Sequence, residues 1–304
     1  MLDVHELAIA RSVLYASLFD YPLTLPQLHE SLIASTLTPD EIIAIYDRSV
    51  ALPSIVERRD GFFLPAGRGD LIEERRTREA RSRAFLAEHA RTLRLICALP
   101  FTRMVALSGS VAHLNLEAGG DLDLFIITRG RRVWMVSVAM IALTRLLGVR
   151  SAVCANFVMS DARLTIEQQD LFTANQVLHL KPLVGVDVLE RFVAANPFVR
   201  RFYPNRPLHP ASDFFQTPGR LVRAAQVLLE IVLTVPSPLV ERLCRAVYTW
   251  HLHRRSVSWQ SPEQVRMQPD YLKLHTQSHR NAVLDRFDQR VRQALERSEH
   301  AAIA

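Results

Sequence analysis

The first part of the chain carries apolar residues at helical spacing and then two short β-like runs. The pattern predicts a helix over 5–19 and two more with N-caps at Thr24 and Thr38, each completed by a capping box. The stretch "SIVERRDGFFLP" then predicts a β-hairpin, because Asp60-Gly61 is a strong turn dipeptide. Three helices and a hairpin are typical of a winged helix, which we assign to residues 1–67.

The third helix of this module determines which partner we expect. In a DNA-binding winged helix it would enter the major groove, where it meets phosphates. The stretch "TPDEIIAIYDRS" sets a single arginine against Asp40, Glu41 and Asp47. This negative charge disfavours DNA, although Arg58 and Arg59 make the hairpin basic. Packing or protein contacts are therefore the favoured role of the module.

A charge-dense stretch, "EERRTREARSR", follows within a helix predicted over 70–99. Its arginines and glutamates alternate at helical spacing, which allows i,i+4 ion pairs along a solvated face. The same arginines would also suit a basic flank beside a polyanionic substrate. Both interpretations stay open.

Beyond Pro100 strands alternate with helices. "TRMVALSGS", "DLDLFIIT" and "SAVCANFVMS" each predict a strand, with a short helix after the first and a helix over 131–149 after the second. No comparable strand is expected after residue 161. Helices are predicted over 220–234, 239–255 and 271–302, joined by a proline-rich segment and a loop over 256–270. We expect these helices to pack over the open side of the sheet.

These elements predict an α+β protein with three regions: the winged helix over 1–67, a sheet domain with its leading long helix over 68–205, and a helical domain over 206–304. A chain of 304 residues with 49% hydrophobic and 22% charged residues is long and apolar enough to form a hydrophobic core in each of three regions. Its three cysteines are far apart, show no CxxC spacing and are typical of reduced thiols in a cytoplasmic protein.

Several classes of function find no support in the sequence. The beginning of the chain does not read as a signal peptide, and the most apolar windows carry charged residues, so no membrane partner is expected. The net charge of +6 comes almost wholly from arginine, which alone is a weak indication of nucleic-acid binding. P-loop, GxGxxG and GxSxG motifs are absent from the sequence.

The stretch "LSGSVAHLNLEAGGDLDLFIIT" carries the candidate chemistry. Asp121 and Asp123 flank Leu122 at the start of a predicted strand, so both carboxylates should face one side while the leucine enters the core. Two aligned hard oxygen ligands suit Mg²⁺. Upstream, Gly109 would let a phosphate approach the backbone, and Ser110 would offer a hydroxyl and an N–H at a helix start.

This arrangement resembles the signature of the DNA polymerase β-like nucleotidyltransferase superfamily, which is Gly-Ser, about ten residues and Asp-x-Asp in a strand. Residues 105–205 further resemble a bacterial family of nucleotidyltransferase-domain proteins, through "GGDLDLFIIT" and "DLFTANQVLHLKPLVG" among other segments. The resemblance implies phosphoryl chemistry with Mg²⁺ or Mn²⁺ and a nucleoside triphosphate (NTP) as substrate. It implies that Asp121 and Asp123 hold metal and that Gly109 and Ser110 hold the β- and γ-phosphates.

The position of a third acid separates two hypotheses. Active members of the superfamily usually carry a third carboxylate on the neighbouring strand, where this sequence has Asn156. An amide oxygen can bind a metal but cannot take a proton at neutral pH. Glu167 and Asp170 lie just beyond the strand and are candidate replacements for the third acid, although surface roles are favoured for both. The chain is either a nucleotidyltransferase or a catalytically degenerate nucleotide-binding regulator that contacts DNA or a partner through its winged helix.

Further candidates lie outside the signature. Arg129 directly follows the Asp-x-Asp strand, and Lys181 is one of only two lysines, so each is a candidate nucleotide contact. His275 and His279 share one face of the predicted last helix, as a zinc site or an acceptor-binding surface would need. Ordinary surface histidines are the favoured interpretation. The acceptor hydroxyl, on a small molecule, a protein or an RNA end, is left open.

Overall fold

The computed structural model describes residues 2–206, 218–274 and 279–303, with backbone alone for residues 156 and 297–303. It is an α+β structure, as predicted. Within these described ranges, no helix is both long enough and apolar enough to cross a membrane.

The N-terminal module contains the elements that its sequence predicts. Its helices and strands are α1 (Val4–Ala16), β1 (Leu23–Thr24), α2 (Leu25–Glu30), α3 (Pro39–Arg48), β2 (Val56–Arg59) and β3 (Phe62–Pro65). Both predicted capping boxes are present, and Asp60 and Gly61 adopt the positive φ angles of a tight hairpin turn. The first α-helix is shorter than predicted, because a 3₁₀ turn follows it over Ser17–Phe19. Strand β1, which was not predicted, pairs with β3.

The single helix expected over 70–99 is two helices, α4 (Leu71–Glu88) and α5 (Ala90–Cys97), and the charge-dense stretch lies wholly within α4. Two of its arginines are buried against the N-terminal module. The Arg75 guanidinium lies 4.3 Å from the ring centre of Tyr21, and Arg78 pairs with Glu74 at 2.6 Å. Arg78 thus makes one of the expected i,i+4 pairs, but at a buried position, and it also lies 3.5 Å from Asp20. Both arginines connect the N-terminal module to the rest of the chain.

The central sheet has six strands in the order β7-β4-β5-β6-β9-β8. They are β4 (Thr102–Ser108), β5 (Leu122–Thr128), β6 (Val153–Ser160), β7 (Lys181–Val184), β8 (Val265–Gln268) and β9 (Tyr271–Leu274). The first three are predicted correctly. The expectation of no later strand is wrong, because three follow: β7 pairs with β4, β9 pairs with β6 where helix was predicted, and β8 lies in the predicted loop. Strands this short gain their stability from the sheet they join and give little local pattern.

Helices cover both faces of the sheet. They are α6 (Gly109–Ala112), α7 (Val133–Leu146), α8 (Leu171–Leu178), α9 (Val186–Ala194), α10 (Phe198–Phe202), α11 (Arg220–Thr234), α12 (Ser237–Arg255) and α13 (Arg280–Ile303). One face packs on α5, α6 and α7, and the other on α8, α9 and α10. Alternate side chains of β5 enter the two cores: Leu124 joins the first and Phe125 the second.

The last three helices pack differently from the expected cover over the sheet. Helix α12 lies outside α7, where Glu241 accepts hydrogen bonds from the backbone N–H groups of Trp134 and Met135 at 3.0 and 2.8 Å. Helix α11 buries none of its residues, and α13 packs on α1 and α8. The expected cover is present in part, because Val283 and Phe287 of α13 join the core on the α8 face, and the C-terminal region also extends the sheet by β8 and β9.

Candidate functional site

A glycine turn at the end of β4 packs directly on one of the two aspartates. Gly109 has φ +63°, and a Cβ atom there would lie 2.5 Å from Oδ2 of Asp123. A side chain at this position would therefore be strained and would also collide with the carboxylate. The turn needs glycine for both reasons, and the backbone of the predicted phosphate-binding position touches the predicted metal ligand.

Asp121 and Asp123 lie where the strand pattern predicts them. Asp121 immediately precedes β5, and Asp123 pairs with Ser108 of β4 and Cys154 of β6. Both aspartates line one cavity of about 580 Å³, which we call the carboxylate cavity. Leu122 between them is fully buried in the core on the opposite face. The alternation brings the two carboxylates to the same side of the sheet.

The electrostatics of this cavity favour a cation. Burial, followed by the nearby charge of Asp121, raises the pKa of Asp123 to about 7. The ionised pair is therefore costly without a counter-charge. Two hard carboxylate oxygens beside space for water and phosphate are the donor set that Mg²⁺ takes in proteins, so the residues present fit this ion. In the described part of the chain, no cluster of three or more His, Cys, Asp or Glu with metal-binding geometry occurs.

The neighbouring strand offers no described third acid to the cavity. Cys154 lines it, but burial raises the pKa of its thiol to about 11, so it stays protonated at neutral pH. The Asn156 side chain lies outside the described residues, and its assignment as a site residue stays a prediction. Its backbone lies in β6 where the register with β5 shifts between Asp123 and Phe125.

The two acids considered as replacements are engaged elsewhere. Glu167 pairs with Arg163 at 3.1 Å and with Arg266 at 3.4 Å. Asp170 caps α8 by accepting from the N–H of Thr173, and it pairs with Arg280 at 2.6 Å. Asp121 and Asp123 are the only acids among the described residues that line the carboxylate cavity.

Lys273 is a site residue that sequence reasoning did not assign. It lies on β9, lines the carboxylate cavity and is only 8% exposed. Its ammonium donates a hydrogen bond to Gln168, and burial lowers its pKa to about 8. Sequence reasoning missed Lys273 because it predicted a helix over 271–302. In the observed strand, alternate residues share one face, which brings Lys273 to the cavity. His279 also lines this cavity, while His275 lies outside the described residues.

The two predicted cationic nucleotide contacts lie at opposite ends of the sheet, and only Lys181 lies at the end that carries the aspartates. Arg129 follows the far end of β5, about 20 Å from Asp123 at the rise of an extended strand, and pairs with Glu230 at 3.2 Å. The structure does not bring it to the carboxylate cavity. Lys181 opens β7 beside Leu107 of β4, outside the described lining of that cavity.

Ser110 is adjacent to Gly109 but faces a different space. It lies in α6, whose four residues form a single turn, so the predicted helix dipole is weak. It lines a second cavity of about 200 Å³, toward the N-terminal module, whereas Gly109 lines both cavities. Gly109, Asp121 and Asp123 are therefore brought together, and Ser110 borders them on the other side.

Comparison of the chain with protein-family models, with curated proteins and with solved structures gave no match.

Proposed function

We propose that the protein is a Mg²⁺-dependent nucleotidyltransferase that moves a nucleoside monophosphate from an NTP to an acceptor hydroxyl. The observation that carries the proposal is the contact between Gly109 and Asp123, with Asp121 in the same cavity. The turn places Gly109 in the left-handed region directly against one of the two half-buried carboxylates. A site that brings phosphate and metal together would account for this arrangement.

Each residue has a role that follows from its chemistry. Asp121 and Asp123 would hold Mg²⁺ or Mn²⁺, which neutralises phosphate charge and aligns the triphosphate with the acceptor. Gly109 leaves the backbone open to the β- and γ-phosphates because it carries no side chain. Lys273, in the same cavity, would pair with a phosphate oxygen, and its burial strengthens that attraction.

The architecture around these residues supports the proposal. The Gly-Ser turn and the Asp-x-Asp strand are neighbours in an α+β sheet, because β4 pairs with β5 up to Ser108 and Asp123. This is the arrangement implied by the polymerase β-like resemblance. The three cysteines form no disulfide, which fits a reducing, cytoplasmic compartment.

A nucleotide-binding regulator is the second candidate, and the acids of the cavity are the reason to keep it. Glu167 and Asp170 are held by arginines, which leaves two carboxylates among the described lining residues. Asn156, if it faces the metal, could ligate but could not act as a base. Such a site would bind the metal–nucleotide complex without turning it over.

We propose that the N-terminal module is a winged helix used for packing within the chain. Its basic hairpin is partly neutralised, because Arg58 lies 3.9 Å from Asp47 and Arg59 lies 3.8 Å from Glu57. These ion pairs reduce the positive charge that contact with DNA phosphates would need. Contact with DNA therefore stays the less favoured role.

The test is incubation of the full chain with each labelled NTP, Mg²⁺ or Mn²⁺ and a panel of acceptors, with pyrophosphate release as the readout. Asp121→Ala and Asp123→Ala should abolish release. Asp187→Ala, which removes an exposed aspartate of α9, serves as the matched control and should leave it unchanged. Metal-dependent NTP binding without release would favour the regulator, and absence of both would refute the proposal.

A further inference from the structure

A second cavity lies between the N-terminal module and the central sheet. It has a volume of about 200 Å³, and we call it the aromatic cavity. Residues from α1 and the segment after it form one side, and residues from α6 and α8 form the other. Phe19, Gly109, Phe172 and Gln176 line both this space and the carboxylate cavity, so the two adjoin.

Aromatic rings form much of its wall. The aromatic lining residues are Tyr15, Phe19, Tyr21, Phe172 and Tyr203, together with the imidazoles of His113 and His179. Those two imidazoles pack with ring centres 3.8 Å apart, and Tyr21 meets His113 edge-on at 5.7 Å. Flat apolar faces in a space of this size suit the stacking of one planar ring system.

Two buried polar atoms in the wall lack the partners that buried groups normally have. Tyr15 is 3% exposed and Asn115 is 6% exposed. The hydroxyl of Tyr15 and the Oδ1 atom of Asn115 find no hydrogen-bond partner among the described residues. The other end of the Asn115 amide donates to the backbone oxygen of Phe19 at 2.8 Å, which fixes its orientation. Both residues line the aromatic cavity, and each carries one polar atom that the described residues leave unpaired.

The cavity is built for an uncharged molecule. Burial, with help from the charge of Lys181 and Arg75, lowers the pKa of His113 to about 3, and burial also lowers the pKa of His179. Both imidazoles are therefore neutral near pH 7. Of the described lining residues, only Glu117 is charged at that pH, and it is exposed at the edge. A phosphate or a carboxylate would find no cationic side chain among the described lining residues.

We propose that the aromatic cavity binds a neutral, planar heteroaromatic ring whose edge offers both a hydrogen-bond acceptor and a donor, as a nucleobase does. Stacking would come from the aromatic walls, and Tyr15 and Asn115 would read the edge of the ring. The N-terminal module thereby completes a ligand site. The proposal goes beyond the nucleotidyltransferase function, because it needs neither metal nor phosphate.

Two sources supply this chemistry. The first source is the NTP itself, since Gly109 lines both the carboxylate cavity and the aromatic one, and a nucleotide lying across it would reach both. Alternatively, the ring belongs to a separate molecule that carries the acceptor hydroxyl. The experiment below distinguishes them by competition.

The test is equilibrium binding of adenosine, guanosine, cytidine and uridine to the full chain without metal, by calorimetry. Tyr15→Phe removes only the unpartnered hydroxyl, so it should leave the fold intact and weaken binding about fivefold, the worth of one hydrogen bond. Ala16→Leu should fill the cavity and weaken binding more than tenfold. Tyr46→Phe, at a tyrosine of α3 outside the cavity, is the matched control and should leave binding unchanged.

The outcomes are distinct. Competition between the bound nucleoside and a Mg²⁺–NTP complex assigns the cavity to the base of the NTP, while simultaneous binding assigns it to a separate ring. Absence of binding by every nucleoside overturns the proposal, as does binding that Tyr15→Phe and Ala16→Leu leave unchanged in folded protein. If the unmodified protein binds a nucleoside but neither binds Mg²⁺–NTP nor releases pyrophosphate, the proposed function is refuted and the aromatic cavity proposal stands.

Discussion

Replacement of Gly109 by alanine should impair the site far more than its effect on stability explains. Gly109 and Gly119 both have positive φ angles, of +63° and +79°. A Cβ atom at residue 109 would meet Asp123 Oδ2 at 2.5 Å, whereas one at residue 119 would meet nothing within 4 Å. The two substitutions therefore share the backbone strain, about 1–2 kcal/mol for alanine in the left-handed region, and differ in the collision.

The size of the collision sets the expected effect. Ordinary carbon–oxygen contacts begin at about 3.3 Å, so Gly109→Ala must move the turn or the carboxylate by about 0.8 Å. A displacement of about 1 Å at a reacting centre can cost about 100-fold in rate. We expect kcat/KM for pyrophosphate release to fall about 100-fold in Gly109→Ala and less than about threefold in Gly119→Ala, a change equivalent to under 1 kcal/mol.

Urea unfolding and steady-state kinetics, measured on both variants, provide the check. Equal activities of the two variants would refute the reasoning, because the contact with Asp123 would then be irrelevant to the site. Gly109→Ala should also unfold at a lower urea concentration than Gly119→Ala, because the collision adds about 1–3 kcal/mol to the shared backbone strain. If the protein binds NTP without turnover, the affinities of the two variants for Mg²⁺–NTP are compared in place of kcat/KM.

Further predictions concern single side chains. Because the folded pKa of Asp123 is raised, the metal-free protein binds the proton more tightly than the unfolded chain does, and its stability should fall as pH rises from about 4 to about 7. Asp123→Asn should remove that fall and stabilise the metal-free fold at pH 8 by about 2–4 kcal/mol, as urea unfolding at pH 5 and 8 will show. Lys273→Met should weaken the binding of Mg²⁺–NTP about tenfold, because a charge-assisted hydrogen bond to phosphate is lost. Calorimetry should show that the affinity for Mn²⁺ without nucleotide is unchanged. Glu241→Ala should lower the free energy of unfolding by about 1–3 kcal/mol, because two backbone N–H groups of α7 lose their acceptor. An unchanged urea midpoint in that variant would contradict its capping role.

The parts of the fold that the sequence predicts best are those with strong local patterns. The capping boxes of α2 and α3 and the Asp60-Gly61 turn are determined by neighbouring residues, and all are present. The alternation around Leu122 likewise predicts which way Asp121 and Asp123 face. Local chemistry was sufficient for these features because each depends on a few consecutive residues.

The parts that were missed depend on distant contacts. Strands β8 and β9 are short and exist because β6 offers an edge for pairing. Arg75 looks like a surface residue in the sequence but is buried between aromatic rings of the N-terminal module. The position of Lys273 in the site and the aromatic cavity were missed for the same reason. Each depends on segments that are far apart in the chain, so no local spacing predicts it.

The central claim is that Asp121 and Asp123 bind a divalent metal beside phosphates lying on Gly109. A crystal structure with Mn²⁺ and a non-hydrolysable NTP analogue tests it most directly, because Mn²⁺ is located by its anomalous scattering. We predict an anomalous peak at coordination distance, about 2.1 Å, from both carboxylates, with phosphate oxygens against the Gly109 backbone. Mn²⁺ bound elsewhere, or phosphates bound at the Arg129 end of the sheet, would contradict the account.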